Sequence, residues 1–290
     1  MDSDEKPFIS EQAKDRLFIS DLDGTLLNDQ GKLSASSLEK LNHLIDSGLK
    51  FTIATARSRE SAMPLLQGLR LKLPAVFFNG VFITDLSSGE DLPGSEFISR
   101  EIIIDMLDAI SPQSLEPFIY TVSGKHNLYY RRTNNPGAQN YLDSLNGDGR
   151  LNKVKAFHFG ETERIAGFLL IDSMDKLEPV YLDLKKNFND KLAMYFAKDL
   201  YSNGFYWLQT YSKQATKGQA VRKLSKHLNI PLSQITVFGD YLNDLDMFEA
   251  ADHSIAVKNA LPEVSAQADE TIGTNNEGAV IDYLESLASL

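Results

Sequence analysis

Short apolar runs rich in β-branched and aromatic residues fall at residues 17–20, 51–54, 75–78 and 235–238, and each reads as a buried strand. Between the first two, residues 33–48 place Leu38, Leu41 and Ile45 at helical spacing, with Ser34 suited to cap the start and Gly48 the end. A second helical stretch, 58–69, leads into the third run. The alternation returns after Thr216: a helix to Leu228, the strand ending at Phe238, a helix through Met247, the run 254–257 and a last helix over 276–287. Strands alternating with helices predict a parallel sheet with right-handed crossovers and helices on both faces.

The middle of the chain has a different texture. Residues 118–122, 127–131, 155–159 and 165–171 alternate apolar with polar positions and are rich in aromatics, as antiparallel strands are, with helices between them. The pattern therefore predicts an α/β core made of 17–83 and 209–290, interrupted by an inserted α+β cap over 84–208. Residues 1–16, mostly polar, are expected to be an irregular lead-in.

Composition narrows the function classes. A formal charge of −11 opposes binding to nucleic acid, which needs lysine and arginine to neutralise phosphates. No cysteine occurs, so thiol redox chemistry, disulfides and thiolate metal sites are excluded together. No apolar run reaches the roughly 18 residues of a membrane span. The polar start lacks the basic and apolar segments of a signal peptide, so a cytoplasmic protein is expected. Its oligomeric state is left open.

The chemistry sits at the predicted strand ends. Directly after the first strand comes Asp21-Leu22-Asp23-Gly24-Thr25; extended backbone alternates its side chains, so Asp21 and Asp23 can face one side while Leu22 packs. After the second strand comes Thr55-Ala56-Arg57, and after the fourth Gly239-Asp240-Tyr241-Leu242-Asn243-Asp244. Ligands of open α/β sheets bind beyond the carboxyl ends of the strands, so these groups should meet in one crevice, joined by Lys217 from the following helix. Taken singly, each has a plainer reading: an Asp-Gly turn, a helix-capping threonine, a solvated lysine, an acidic first helical turn. Four such coincidences in order favour a single shared site.

These segments resemble the four motifs of the haloacid dehalogenase superfamily, specifically the Cof-like phosphatases with a large inserted cap of the C2 type. The resemblance covers the core at both ends of the chain, while the cap matches only in size, placement and texture. It implies a Rossmann-like core and a phosphatase acting on small phosphate monoesters, sugar phosphates or related metabolites, through an aspartyl phosphate on Asp21. It also implies Mg²⁺ held by Asp21, the Asp23 backbone carbonyl and Asp240, with Asn243 and Asp244 assisting. Lys217 and Thr55 would stabilise the transferring phosphate, and Asp23 would serve as acid and base. A phosphosugar mutase using the same phosphoenzyme, or a silent phosphometabolite sensor, are the alternative functions.

Physical chemistry supports that ligand choice. A phosphate dianion beside several carboxylates is repelled by about 4 kcal/mol per unit pair near 4 Å at an effective dielectric of 20, so a cation must offset the charge. Mg²⁺ suits hard oxygen donors, and no histidine pair suggests zinc. The chain departs from the family at Ala56, where the relatives often carry glycine. Asn79-Gly80 borders the expected site and reads either as a substrate contact or as a turn before the linker. In the cap, Tyr129-Tyr130-Arg131-Arg132 could contact a phosphorylated sugar but reads more simply as a solvated strand end. Trp207 reads as packing, and none of the five histidines as catalytic.

Overall fold

The computed structural model describes residues 11–199 and 202–287. Two compact units divide the chain: residues up to Ser95 together with those from Thr216 onward, and Glu96–Ala215 between them.

In the first unit a short helix α1 (Glu11–Asp15) precedes β1 (Leu17–Ser20), which is followed by α2 (Ala35–Asp46), β2 (Lys50–Ile53), α3 (Arg59–Ala62), β3 (Ala75–Phe77) and β4 (Phe82–Thr84). The second unit contributes α4 (Arg100–Ile110), β5 (Phe118–Ser123), β6 (Lys125–Tyr130), α5 (Pro136–Ser144), β7 (Leu151–Lys153), β8 (Arg164–Asp172), α6 (Met174–Phe188), β9 (Leu192–Lys198) and β10 (Tyr206–Ser212). The chain then returns through α7 (Lys217–Leu228), β11 (Ile235–Gly239), α8 (Leu245–Ala250), β12 (His253–Val257), α9 (Pro262–Ser265), β13 (Glu270–Ile272) and α10 (Ala279–Ser286).

The core sheet is parallel, in the order β13-β12-β11-β1-β2. Its central strands are mostly apolar because both faces are covered: every residue of β1 and β11 is buried, Ser20 and Thr236 included. Leu17 pairs with Ile235 on one side and Lys50 on the other, which aligns the carboxyl ends of β1, β2 and β11. The crossover helix α2 starts where expected, with Ser34 accepting a hydrogen bond from the Ser37 amide, and buries Leu41, Leu44 and Ile45.

Several expectations need correction. Residues 11–16 are ordered, with Ala13 buried and Arg16 paired to Asp252 at 2.7 Å; the rest of the expected lead-in, 1–10, lies outside the described residues. The helix expected over 58–69 is only α3, continued by a 3₁₀ turn at Met63–Leu66, because Pro64 lacks the amide and clashes with the preceding turn. The third apolar run is no full member of the parallel ladder: β3 pairs antiparallel with β4 and touches β2 through one bridge, Ala54 to Val76. The last helix begins only at Ala279, since Gly278 sits at φ +77° after a 3₁₀ turn.

The unit boundaries also differ from 84 and 208. The stretch after β4 folds back, with Leu92 N–H donating to the Ile83 carbonyl at 2.7 Å, so the first crossing comes after Ser95. At the return, β10 pairs with β9 as far as Ser212 and so belongs to the inserted unit.

That inserted unit is a six-stranded sheet, β7-β6-β5-β8-β10-β9, antiparallel except where β7 runs parallel to β6. Alternation assigns its two faces. Phe168 and Leu170 pack with Ile103 and Met106 of α4 and Leu177 and Leu184 of α6, whereas Leu169 and Ile171 pack with Ala138 of α5. Residues 155–159, expected as a strand, form none; Phe157 and Phe159 instead stack at 6.3 Å and pack against the first of these clusters. Their period of two imitated a strand that has no partner. Among the described residues, no helix is long and apolar enough to cross a membrane.

Candidate active site

The Asp21 amide extends the sheet by donating to the Phe238 carbonyl at 2.9 Å, which sets Asp21 beside the end of β11. Leu22 is fully buried beneath the loop, as the alternation requires. Gly24 adopts φ +80°, and a Cβ there would lie 2.5 Å from Asp240 Oδ2, so only glycine lets the loop approach that carboxylate. Thr25 then donates its hydroxyl to Asp240 Oδ1 at 2.6 Å, and Asn259 donates to the Gly24 carbonyl at 2.7 Å.

Lys217, the first residue of α7, is fully buried. Its Nζ lies 2.5 Å from Asp21 Oδ1 and 2.6 Å from Asp244 Oδ1. Thr216 caps the helix through the Gln219 amide, and Gly80, at φ +101°, packs against that cap so closely that a Cβ would meet the Thr216 carbonyl oxygen at 2.2 Å. The other oxygen of Asp244 accepts the amides of Asp240 and Tyr241 at 2.9 and 3.0 Å. Asp244 is thereby committed to holding the β11 loop and Lys217 together.

Asp21, Asp240 and Asp244 bring carboxylate oxygens within 4.8 Å of one another. One ammonium faces three carboxylates, and the electrostatics follow. Burial, together with the neighbouring carboxylates, pushes Asp21 well above the usual carboxylate range despite the opposing pull of Lys217. Burial and the charge of Asp244 raise Asp240 to about 7. For Lys217, burial favours the neutral amine, but Asp21 and Asp244 outweigh it and hold the ammonium above its ordinary value. The excess of negative charge and the all-oxygen donor set of Asp21 and Asp240 fit a hard divalent cation such as Mg²⁺.

The remaining predicted residues divide. Thr55 is fully buried at the end of β2; its Oγ1 accepts the Arg57 amide at 3.1 Å, and its own O–H donates to nothing among the described residues. The side chain of Asp23 is turned to Arg57, whose Nε and Nη2 donate to its two oxygens at 2.7 and 2.8 Å. Asn243 donates to Asn79 Oδ1 at 2.8 Å, and the Asn79 amide N–H donates to the Thr55 carbonyl at 3.0 Å. The Asn79 Nδ2 is buried without a hydrogen-bond partner. Phe78 and Asn79 both adopt φ +55° ahead of Gly80, a run of left-handed residues that a bulky side chain tolerates only when its surroundings enforce it. Ala56 is half-buried between Thr55 and Arg57.

Three residues escaped the sequence reading. Arg57 and Thr25 were visible as neighbours of the motifs, and their signal was adjacency to Thr55 and to the Asp-x-Asp segment. Asn259 has no local signal, because its partner lies 235 positions away.

Fold and strand-end chemistry define a class. The family of haloacid dehalogenase-like hydrolases matches residues 18–284, and the chain belongs to it. It is thus an enzyme of that hydrolase type, and curated proteins similar to it are named phosphatases. Phosphatase YwpJ of Bacillus subtilis is 27% identical over 94% of this chain and 99% of its own. The 5-amino-6-(5-phospho-D-ribitylamino)uracil phosphatase YwtE of the same organism is 28% identical over 93% and 96%. A haloacid dehalogenase-like hydrolase from Bacteroides thetaiotaomicron shares the fold, with a TM-score of 0.77 at 22% identity over 94% of this chain and 99% of that one.

Proposed function

We propose that this enzyme is a cation-dependent phosphatase that hydrolyses small phosphate monoesters by way of a phosphoryl group carried on Asp21. The observation that supports it most is the pairing of Asp21 with the buried Lys217. Oδ1 is engaged by the ammonium, while Oδ2 carries no hydrogen bond among the described residues and is the oxygen suited to attack phosphorus.

In the first step Asp21 Oδ2 forms a bond to phosphorus as the bond to the ester oxygen breaks, and Asp23 gives that oxygen its proton. In the second, Asp23 takes a proton from water, whose oxygen attacks phosphorus and releases inorganic phosphate from Asp21. Arg57 donates to both oxygens of the Asp23 carboxylate, the form that takes the proton from water, and releases one of them when Asp23 carries the proton for the leaving group. Lys217 and the Thr55 hydroxyl offset the charge on the equatorial oxygens. Asn243, linked to Asn79, borders the same loops and leaves the unpartnered Asn79 amide available to the substrate.

Asp21, Asp240 and the Asp23 carbonyl would hold Mg²⁺, with Asp244 steadying Asp240 from behind. Bound there, the ion would neutralise the phosphate and the carboxylates around it. Sugar phosphates and related metabolites are the proposed substrates; the name of one relative specifies a phosphorylated ribityl chain, which belongs in that class.

The test is hydrolysis of an aryl phosphate with and without Mg²⁺. Asp21→Asn should reduce kcat by about 10³-fold or more while the fold persists. Full activity in that variant would sink the covalent mechanism.

A further inference from the structure

The inserted unit carries a cavity of about 750 Å³ at the end of its sheet where β5 begins and β6 and β7 finish. Its wall gathers Arg131, Arg132, Lys153 and Lys155 around a single carboxylate, Glu116. Four cations against one anion make a strongly positive concavity in a chain whose formal charge is −11.

The arrangement is built rather than scattered. The Glu116 side chain is 3% exposed, and its two oxygens accept from Arg131 Nε and Arg132 Nε, each at 2.9 Å. Bonding through Nε fixes both guanidiniums and leaves their terminal nitrogens for another acceptor. Arg131 is held a second time, over the Phe157 ring at 5.3 Å from its centroid. Lys153 and Lys155 are exposed and have no carboxylate partner among the described residues. Buried Glu116 accounts for the two arginines, whereas nothing in the packing calls for Lys153 and Lys155 beside them, and the excess of positive charge is repulsive unless a further anion is present.

The linkers do not explain the cluster either. Ile98 bridges Ile165 near the start of β8, and β10 ends at Ser212, so the chain enters and leaves the unit at the opposite end of the sheet.

We propose that this cavity is a binding pocket for a small phosphoryl-type polyanion. Arg131 and Arg132 form a positioned fork matched to phosphoryl oxygens, and Lys153 and Lys155 supply mobile cations at the rim. The volume suits a small metabolite. The anion is one free in solution, held by residues of the inserted unit alone. The inference goes beyond the phosphatase reading and does not need it, since binding is measurable without turnover.

Pyrophosphate titrated calorimetrically into the full chain in EDTA provides the test. The comparison is Arg132→Gln/Lys153→Gln/Lys155→Gln, which leaves Arg131 in place to avoid stranding buried Glu116. Binding should weaken at least about tenfold in this variant with the thermal transition unchanged. An isotherm unaltered by the three substitutions, or a wild-type chain that binds no pyrophosphate, overturns the pocket.

Discussion

The two units handle charged and polar groups in opposite ways. In the core, Lys217 is fully buried between two aspartates and is approached by glycines that admit no side chain. In the inserted unit the arginines and lysines around Glu116 are largely exposed, and turn glycines such as Gly124 and Gly147 have room about them, as Gly31 and Gly48 do in the core away from the site, although Gly137 in α5 is packed against Phe205. The core has given up tolerance to hold its carboxylates in place; the cap has kept it. Variation in recognition is therefore cheap in the cap and costly in the core.

The largest expected effect comes from Lys217→Met. It leaves Asp21 and Asp244 buried without their cation, and breaking a buried pair costs about 3–5 kcal/mol. Urea unfolding would measure that loss, and aryl phosphate hydrolysis should disappear with it. A variant that keeps wild-type stability would break the contrast between the units.

Glycines sharpen it at a smaller scale. Gly80→Ala must place a Cβ 2.2 Å from the Thr216 carbonyl oxygen at φ +101°, and should cost about 2–4 kcal/mol. Gly124→Ala, in the turn between β5 and β6 at φ +69°, meets nothing within 4 Å and should cost only the backbone strain, about 1 kcal/mol. Parallel denaturation curves of the two variants decide the point.

Why the core was the more legible unit follows from the same contrast. Runs such as 17–20 and 235–238 are mostly apolar because both faces are covered, and Asp21, Thr55 and Asp240 stand close to the strand ends, so short motifs carried the chemistry. What was missed depends on distant partners. β13, with Glu270 and Thr271 exposed, has no apolar signature and exists because β12 offers it a free edge. The grip of Arg57 on Asp23 joins positions 34 apart in sequence. In the cap, alternation located β5, β6 and β8 but could not distinguish a strand from the unpaired 155–159, since both present aromatics at every second position. The Arg131-Arg132 pair read as a solvated strand end because its organiser, Glu116, lies 15 positions before Arg131 and carries no motif.

Above the ordinary carboxylate range, metal-free stability should depend on pH mainly through the raised carboxyls of the core. Asp240 titrates at about 7 in the folded chain against an ordinary 3.8. Between those values the unfolded chain has lost the proton that the folded chain keeps, so stability falls as pH rises through this window and levels off above it. Asp21, also raised by burial, acts in the same direction. Asp240→Asn should flatten part of the slope, worth on the order of 1–3 kcal/mol, and make the variant the more stable protein at pH 8 in EDTA. Adding Mg²⁺ should raise the melting temperature of wild type and not of the variant. A wild-type protein in EDTA whose stability rises from pH 5 to pH 8 would contradict the electrostatic reading of the site.

The smallest effect belongs to Trp207. Its indole packs edge-on against Tyr141 at 5.1 Å within the cap, and its buried Nε1 has no hydrogen-bond partner. Trp207→Phe loses contact area but also removes the stranded donor, and the two terms oppose each other, leaving a change of about 1 kcal/mol or less. Hydrolysis of an aryl phosphate should keep its wild-type kcat. A large fall in kcat with stability intact would give the indole a part in turnover and erase the division between a committed core and a tolerant cap.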